Sequence, residues 1–211
     1  MKLKTMIWQN LYGGGALLLC AALLLCSVTD YFVRCHRLRG DVLRLHITAN
    51  SDSAADQAVK LLVRDAVLEA GAELFNGSVT AAGAEEKLRP ALGLLEKTAR
   101  EVLRAQGFSY GARAYLCEDW FAARAYGDLT LPAGRYKALR IALGTGAGQN
   151  WWCVMFPPLC LPAAEPAAGD ADAWAVFGAD GGEIVQATGG YKIRFRIVEL
   201  AETVWRKLTE E

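Results

Sequence analysis

Polar and apolar residues alternate along "DVLRLHITAN", residues 41–50. Val42, Arg44, His46 and Thr48 fall on one face, and Leu43, Leu45 and Ile47 on the other. Successive side chains of an extended chain point to opposite sides, so the pattern predicts a strand with one buried face. Past Ala54 the period lengthens. Val59, Leu62, Val63, Ala66, Val67, Ala70 and Leu74 recur at helical spacing, and Ser53 followed by Asp56 fits a capping box. The spacing predicts a helix over residues 54–75. After the break "NGSVTAAG", a second helical stretch runs over residues 81–106, with Leu92, Leu95, Ala99, Val102 and Leu103 on one face and Gly107 as its C-terminal stop. Pro90 lies inside that stretch, which predicts a kink or a junction of two helices there.

Beyond Gly107 the pattern changes to that of strands: "GARAYLCEDWFAARAYG" (111–127), "RYKALRIALG" (135–144) and "WWCVMF" (151–156). Gly144, Gly146 and Gly148 alternate between the last two and predict a hairpin loop. Residues 161–173, "LPAAEPAAGDADA", are rich in alanine and slightly acidic, and read as exposed loop. "YKIRFRIVEL" (191–200) alternates again, and a short helix over 201–208 closes the chain. The order of elements predicts an α+β fold, a mainly antiparallel sheet with two or three packed helices.

The start of the chain is different in kind. Leu11 to Val28 carries no charge and follows Lys2 and Lys4. As a helix it would span roughly 27 Å, about the thickness of a bilayer core. It reads as a membrane anchor or as a signal segment. The exit Cys26-Ser27-Val28-Thr29 is a poor cleavage site, which favours the anchor. The expected organisation is a signal or anchor segment over 1–30, a basic linker over 31–40, and one extracytoplasmic domain over 41–211 with a variable loop at 161–182. Charges flank the run on both sides, Lys2 and Lys4 against Arg34, Arg37 and Arg39, so the positive-inside rule gives no orientation. A short N-tail ahead of a globular part favours export of that part.

Past Asp30 the chain carries 21 basic and 22 acidic residues. A nearly neutral domain without a basic stripe is poorly suited to nucleic acid. About 180 residues can bury a core without disulfides.

Candidate chemistry concentrates in "GTGAGQNWWCVMFPPLC", residues 144–160. The glycine spacing departs from the dinucleotide fingerprint, and a strand rather than a helix follows, so a loop is the reading. Cys153 and Cys160 flank Pro157-Pro158, and either a disulfide across the bend or two buried thiols fits. His36 and His46 are too few and too far from a cysteine pair for zinc, so no metal and no cofactor is expected. His46 is the only histidine inside the predicted fold, so a Cys153–His46 dyad can be imagined, but a lone histidine on a strand is more often a polar-face or core residue than a base. No catalytic residues are assigned. Trp151 and Trp152 are adjacent and, on a strand, face opposite ways. An outward tryptophan beside Pro-Pro suits an interface; both packed within the domain suits the pattern equally.

"LRLHITANSDSAADQAVKLLVRDAVL", residues 43–68, resembles the N-terminal signature of the stage II sporulation protein R family, and "YGDLTLPAGRYKALRIALGTGAGQNWWCVMFPPLC", residues 126–160, resembles its second signature more closely. "FRIVEL", residues 195–200, also looks family-like. The resemblance implies a protein made in the forespore and exported into the space between the two cells. There it would trigger a membrane-embedded aspartic protease of the mother cell, which removes the pro-sequence of sigma E. It implies a signal rather than a protease. Such a ligand must favour one state of its receptor, here the active dimer. The expected receptor contact is Gln149, Asn150, Trp151 and Trp152 with Pro157 and Pro158, joined by Asn50, Ser51 and Asp52. The contrasting readings are an exported hydrolase using Cys153 or a carboxylate, and a membrane protein of purely structural role.

Overall fold

The computed structural model describes residues 2–75, 80–126, 129–157 and 184–185. The expected loop at 161–182, the strand at 191–200 and the closing helix lie outside these, as do Pro158 and Cys160. Chain order runs α1 (Lys2–Gly40), β1 (Leu43–Thr48), α2 (Ala54–Phe75), α3 (Ala81–Ala105), β2 (Ala112–Phe121), β3 (Arg124–Tyr126), β4 (Leu129–Leu131), β5 (Gly134–Leu143) and β6 (Asn150–Phe156). A four-stranded sheet has the order β2-β5-β1-β6, and β3 and β4 form a separate ribbon. Among the described strands only β1 and β5 pair in parallel; β1 with β6, β2 with β5 and β3 with β4 are antiparallel. The fold is α+β with a mainly antiparallel sheet.

The helix limits follow from local chemistry. The Asp56 N–H donates to Ser53 Oγ at 3.1 Å, the first half of the expected capping box. Asp56 does not complete it, because its carboxylate is engaged elsewhere. At the end of α3 the Gly107 N–H bonds the Arg104 carbonyl and the Phe108 N–H bonds that of Leu103. This is a Schellman closure, and Phe108 packs on the core. α3 runs through Pro90 as one helix. The proline is exposed, and the buried row Leu88, Ala91, Leu95, Ala99 and Leu103 holds the helix on either side of it.

One core lies between the helices and the sheet. Val59, Val63 and Val67 of α2 and the α3 row meet Leu43, Leu45 and Ile47 of β1 and Leu139, Ile141 and Leu143 of β5. A second core covers the other face, built from Val42, Phe121, Leu131, Tyr136, Val154, Ile184 and Val185 with Tyr31, Cys35 and Leu38 of α1. Residues 31–40, expected as a linker, are therefore the last turns of α1, fixed by the apolar side of those turns. Earlier in α1, Leu18, Leu19, Leu23, Leu24 and Leu25 are exposed. Among the described residues, Leu18–Gly40 is the one helical stretch long and apolar enough to cross a membrane. That is compatible with a signal segment or an anchor.

Two expectations are corrected. β1 is buried on both faces, including Arg44, His46 and Thr48, because the second core covers the side expected to meet water. β5 and β6 are not a hairpin: β1 lies between them. Two strand spacings are about 10 Å, and the glycine loop bridges that gap across the end of β1.

Candidate functional site

Asn50, Ser51, Asp52, Gln149 and Asn150 gather at one end of β1, where two loops are bound to each other; Trp152 lies mid-strand opposite His46, and Pro157 follows Phe156, which pairs with Leu43 at the other end. The loop after β1 supplies Asn50, Ser51 and Asp52. The loop before β6 supplies Thr145 and Gln149. Asn50 Oδ1 accepts from the Thr145 N–H at 3.0 Å, the Thr145 hydroxyl donates to the Asn50 carbonyl at 2.9 Å, and Asp52 Oδ1 accepts from the Gln149 N–H at 2.7 Å. Lys60 donates from Nζ to the Gln149 carbonyl at 3.0 Å, and burial holds its pKa below the usual lysine value. The glycines make this approach feasible. A Cβ on Gly144 would lie 2.2 Å from Asn50 Oδ1, and one on Gly148 2.2 Å from the Ser51 carbonyl oxygen; Gly144 also has φ +56°.

Asp56 anchors the first loop from below. Its carboxylate accepts from Ser51 Oγ at 2.5 Å, Tyr110 Oη at 2.5 Å and Asn50 Nδ2 at 3.0 Å. These bonds, that from Ser51 foremost, hold its pKa below the usual carboxylate value. Burial, and then Asp56 itself, raise that of Tyr110. The cluster is a satisfied structural knot.

Asn150 begins β6 and points at β1. His46 Nε2 lies 2.8 Å from Asn150 Oδ1 and Nδ1 lies 2.6 Å from Asp119 Oδ2. Asp119 also faces Arg140 Nη1 at 3.5 Å. Burial, outweighing these bonds, pushes the His46 pKa down. The neutral imidazole donates from Nδ1 to Asp119 and accepts at Nε2 once the Asn150 amide is turned half a revolution. The Trp152 ring stacks on His46 with centroids 3.6 Å apart.

The two tryptophans do face opposite ways. Trp151 packs against the helix-side core, with the Arg64 guanidinium 4.6 Å over its ring. Trp152 packs in the second core. Both are half-buried, so neither is a free outward anchor. Pro157 is half-buried behind a cis peptide bond. Register separates the two members of the imagined dyad: Cys153 sits opposite Leu45 on the helix side, and His46 sits opposite Trp152 on the other. Cys153 is disulfide-bonded, so a Cys153–His46 dyad is excluded by direction and by valence. Cys160 lies outside the described residues.

Sequence reasoning missed Asp119 and Arg44. The Arg44 guanidinium is enclosed by aromatic rings, 4.2 Å from that of Phe121, 5.0 Å from Tyr136 and 5.5 Å from Tyr126. Its Nε donates to the Cys153 carbonyl at 3.0 Å and Nη2 to Tyr126 Oη at 2.7 Å. The available signal was an arginine in the middle of an alternating strand beside the aromatic-rich "DWFAARAY".

Comparison with known proteins bears on the same region. The family model described as Stage II sporulation protein R matches residues 39–165. The protein of that name from Bacillus subtilis (strain 168) is 37% identical over 119 residues, which cover 56% of this chain and 53% of that protein. The chain thus spans about half the length of the curated relative that it matches. No solved structure matches.

Proposed function

Since the chain belongs to the stage II sporulation protein R family, we propose that it is an exported signalling protein of sporulation. In this reading the forespore makes it and the domain acts in the space between the two cells. There it activates a membrane-embedded aspartic protease of the mother cell and so brings about processing of pro-sigma-E. The observation that carries the reading is the coincidence of the family match, 39–165, with the folded domain behind an apolar helix. The loop pair at the end of β1 suits the receptor contact. Asp52, Gln149 and Asn150 are exposed there, and the hydrogen bonds between the loops fix their shape before any partner arrives, which lowers the entropic cost of binding. A bridge from Cys153 to Cys160 would brace β6 just beyond, worth about 2–3 kcal/mol for so short a loop.

The test is reconstitution in a bacterium that does not sporulate, with the candidate protease and the sigma-factor precursor co-expressed. The soluble form begins at Asp30 rather than Asp41, because Tyr31, Cys35 and Leu38 belong to the second core. Precursor shortening that depends on this domain is the expected result. No shortening with either the full chain or the Asp30–Glu211 form, all components being folded, overturns the reading. Gln149→Ala and Asn150→Ala, at exposed positions, should each weaken shortening at unchanged protein level; if neither does, the contact lies elsewhere. Cys153→Ser with Cys160→Ser should lower stability while retaining signalling, whereas a thiol hydrolase would lose all activity.

A further inference from the structure

A cavity of about 300 Å³ opens on the sheet face opposite the helices, where β2 turns into the β3–β4 ribbon. Trp120, Phe121 and Trp152 give it apolar walls, and Arg44 and Arg124 also line it. Arg44 is fully buried, and its Nη1 has no hydrogen-bond partner. The oxygens around it are neutral, those of Cys153, Tyr126 and Tyr136, and no carboxylate among the described residues pairs with it. The nearby Asp119 is committed to His46 and Arg140. A buried cation ordinarily has an anion beside it, since desolvation is costly and an unused donor adds to that cost. Aromatic faces offset part of it, but they leave Nη1 unused.

We propose that this cavity binds a carboxylate carried on a small apolar stem. The carboxylate sits between Arg44 and Arg124, and the stem lies against Trp120, Phe121 and Trp152. A guanidinium suits a carboxylate because its planar donors match the two oxygens. The cavity is large enough for one such group with a few carbons and too small for an extended chain. The chemistry is shared by a free organic acid and by an aspartate or glutamate side chain of a peptide.

The full chain in detergent micelles tests this through its tryptophan fluorescence, since Trp120 and Trp152 line the cavity. The probes are 3-phenylpropionate against 3-phenylpropionamide, and acetyl-Leu-Asp-Leu-amide against its Asn counterpart. A saturable change with at least one acid, about tenfold or more weaker with its neutral amide, is expected from one lost charge-assisted bond. Which acid binds tighter identifies the source. Arg124→Gln, at an exposed position, should weaken the preferred acid about threefold to tenfold without disturbing the fold. Arg44→Met should abolish the preference for the acid; if that variant does not fold, Arg124→Gln decides alone. Equal response to acid and amide, or no saturable response up to about 50 mM, beyond the weakest useful affinity, overturns the proposal.

Discussion

Leu45 and His46 are neighbours in the chain and both are hidden from water, at 0% and 3% exposure, yet different physics holds them. Leu45 faces the helices among aliphatic side chains, where volume and shape decide the energy. His46 faces the second core and is held by direction: Asp119 on one nitrogen, Asn150 on the other, Trp152 on its ring face. The same contrast runs along the whole strand. One face of β1 is replaceable by anything apolar of the right size. The other consists of polar groups, each tied to a named partner on β2 or β6, or conspicuously left with an unused atom.

The largest effect should come from the apolar face. Leu45→Ala is expected to cost about 3 kcal/mol from lost burial and the cavity left behind, read from denaturant unfolding of the soluble form. On the polar face, Asp119→Asn should cost about 1–2 kcal/mol, since it weakens one charge-assisted bond in a half-open site. A cost equal to that of Leu45→Ala would erase the distinction between the faces. Thr48 sharpens the comparison by reversing the sign. Its buried hydroxyl has no hydrogen-bond partner, so Thr48→Val should raise stability by about 1 kcal/mol, seen as a higher denaturant midpoint. The smallest effect concerns pH. Burial depresses the His46 pKa, so the unfolded chain takes up the proton more readily. The stability held by neutral His46 is present above the unfolded pKa of about 6.5 and is lost as pH falls through the lower folded value. The wild type should therefore lose more stability than His46→Gln between about pH 7.5 and pH 5.5; identical losses would remove His46 from the account. Asp56 acts in the same direction at lower pH, below the ordinary carboxylate range.

The helices and strands were legible because their signals are local. Ser53 before Ala54, Gly107 after α3 and the alternation of β1 each act within a few residues. What surrounds a strand is not local. The alternation of Arg44, His46 and Thr48 carries no sign that aromatic side chains far along the chain, Phe121 and Trp152 among them, would cover that face. The hairpin expectation failed for the same reason: the glycine loop fits a tight turn in isolation, and β1 enters the gap from a distant part of the chain. At the candidate site, the tryptophans' opposite directions followed from strand geometry alone. The clamp between Asn50 and Thr145 and the partners of His46 depend on register between strands and were not legible.

α1 runs from its exposed leucines into the second core with no break. Where its apolar part stays in a bilayer, the domain has no swivel above the surface. The azimuth of the span then sets which side of the domain faces along the membrane. Each residue added between Val28 and Tyr31 would turn the domain by about 100° and lift it about 1.5 Å, so the length of the helix acts as a compass bearing as well as a tether.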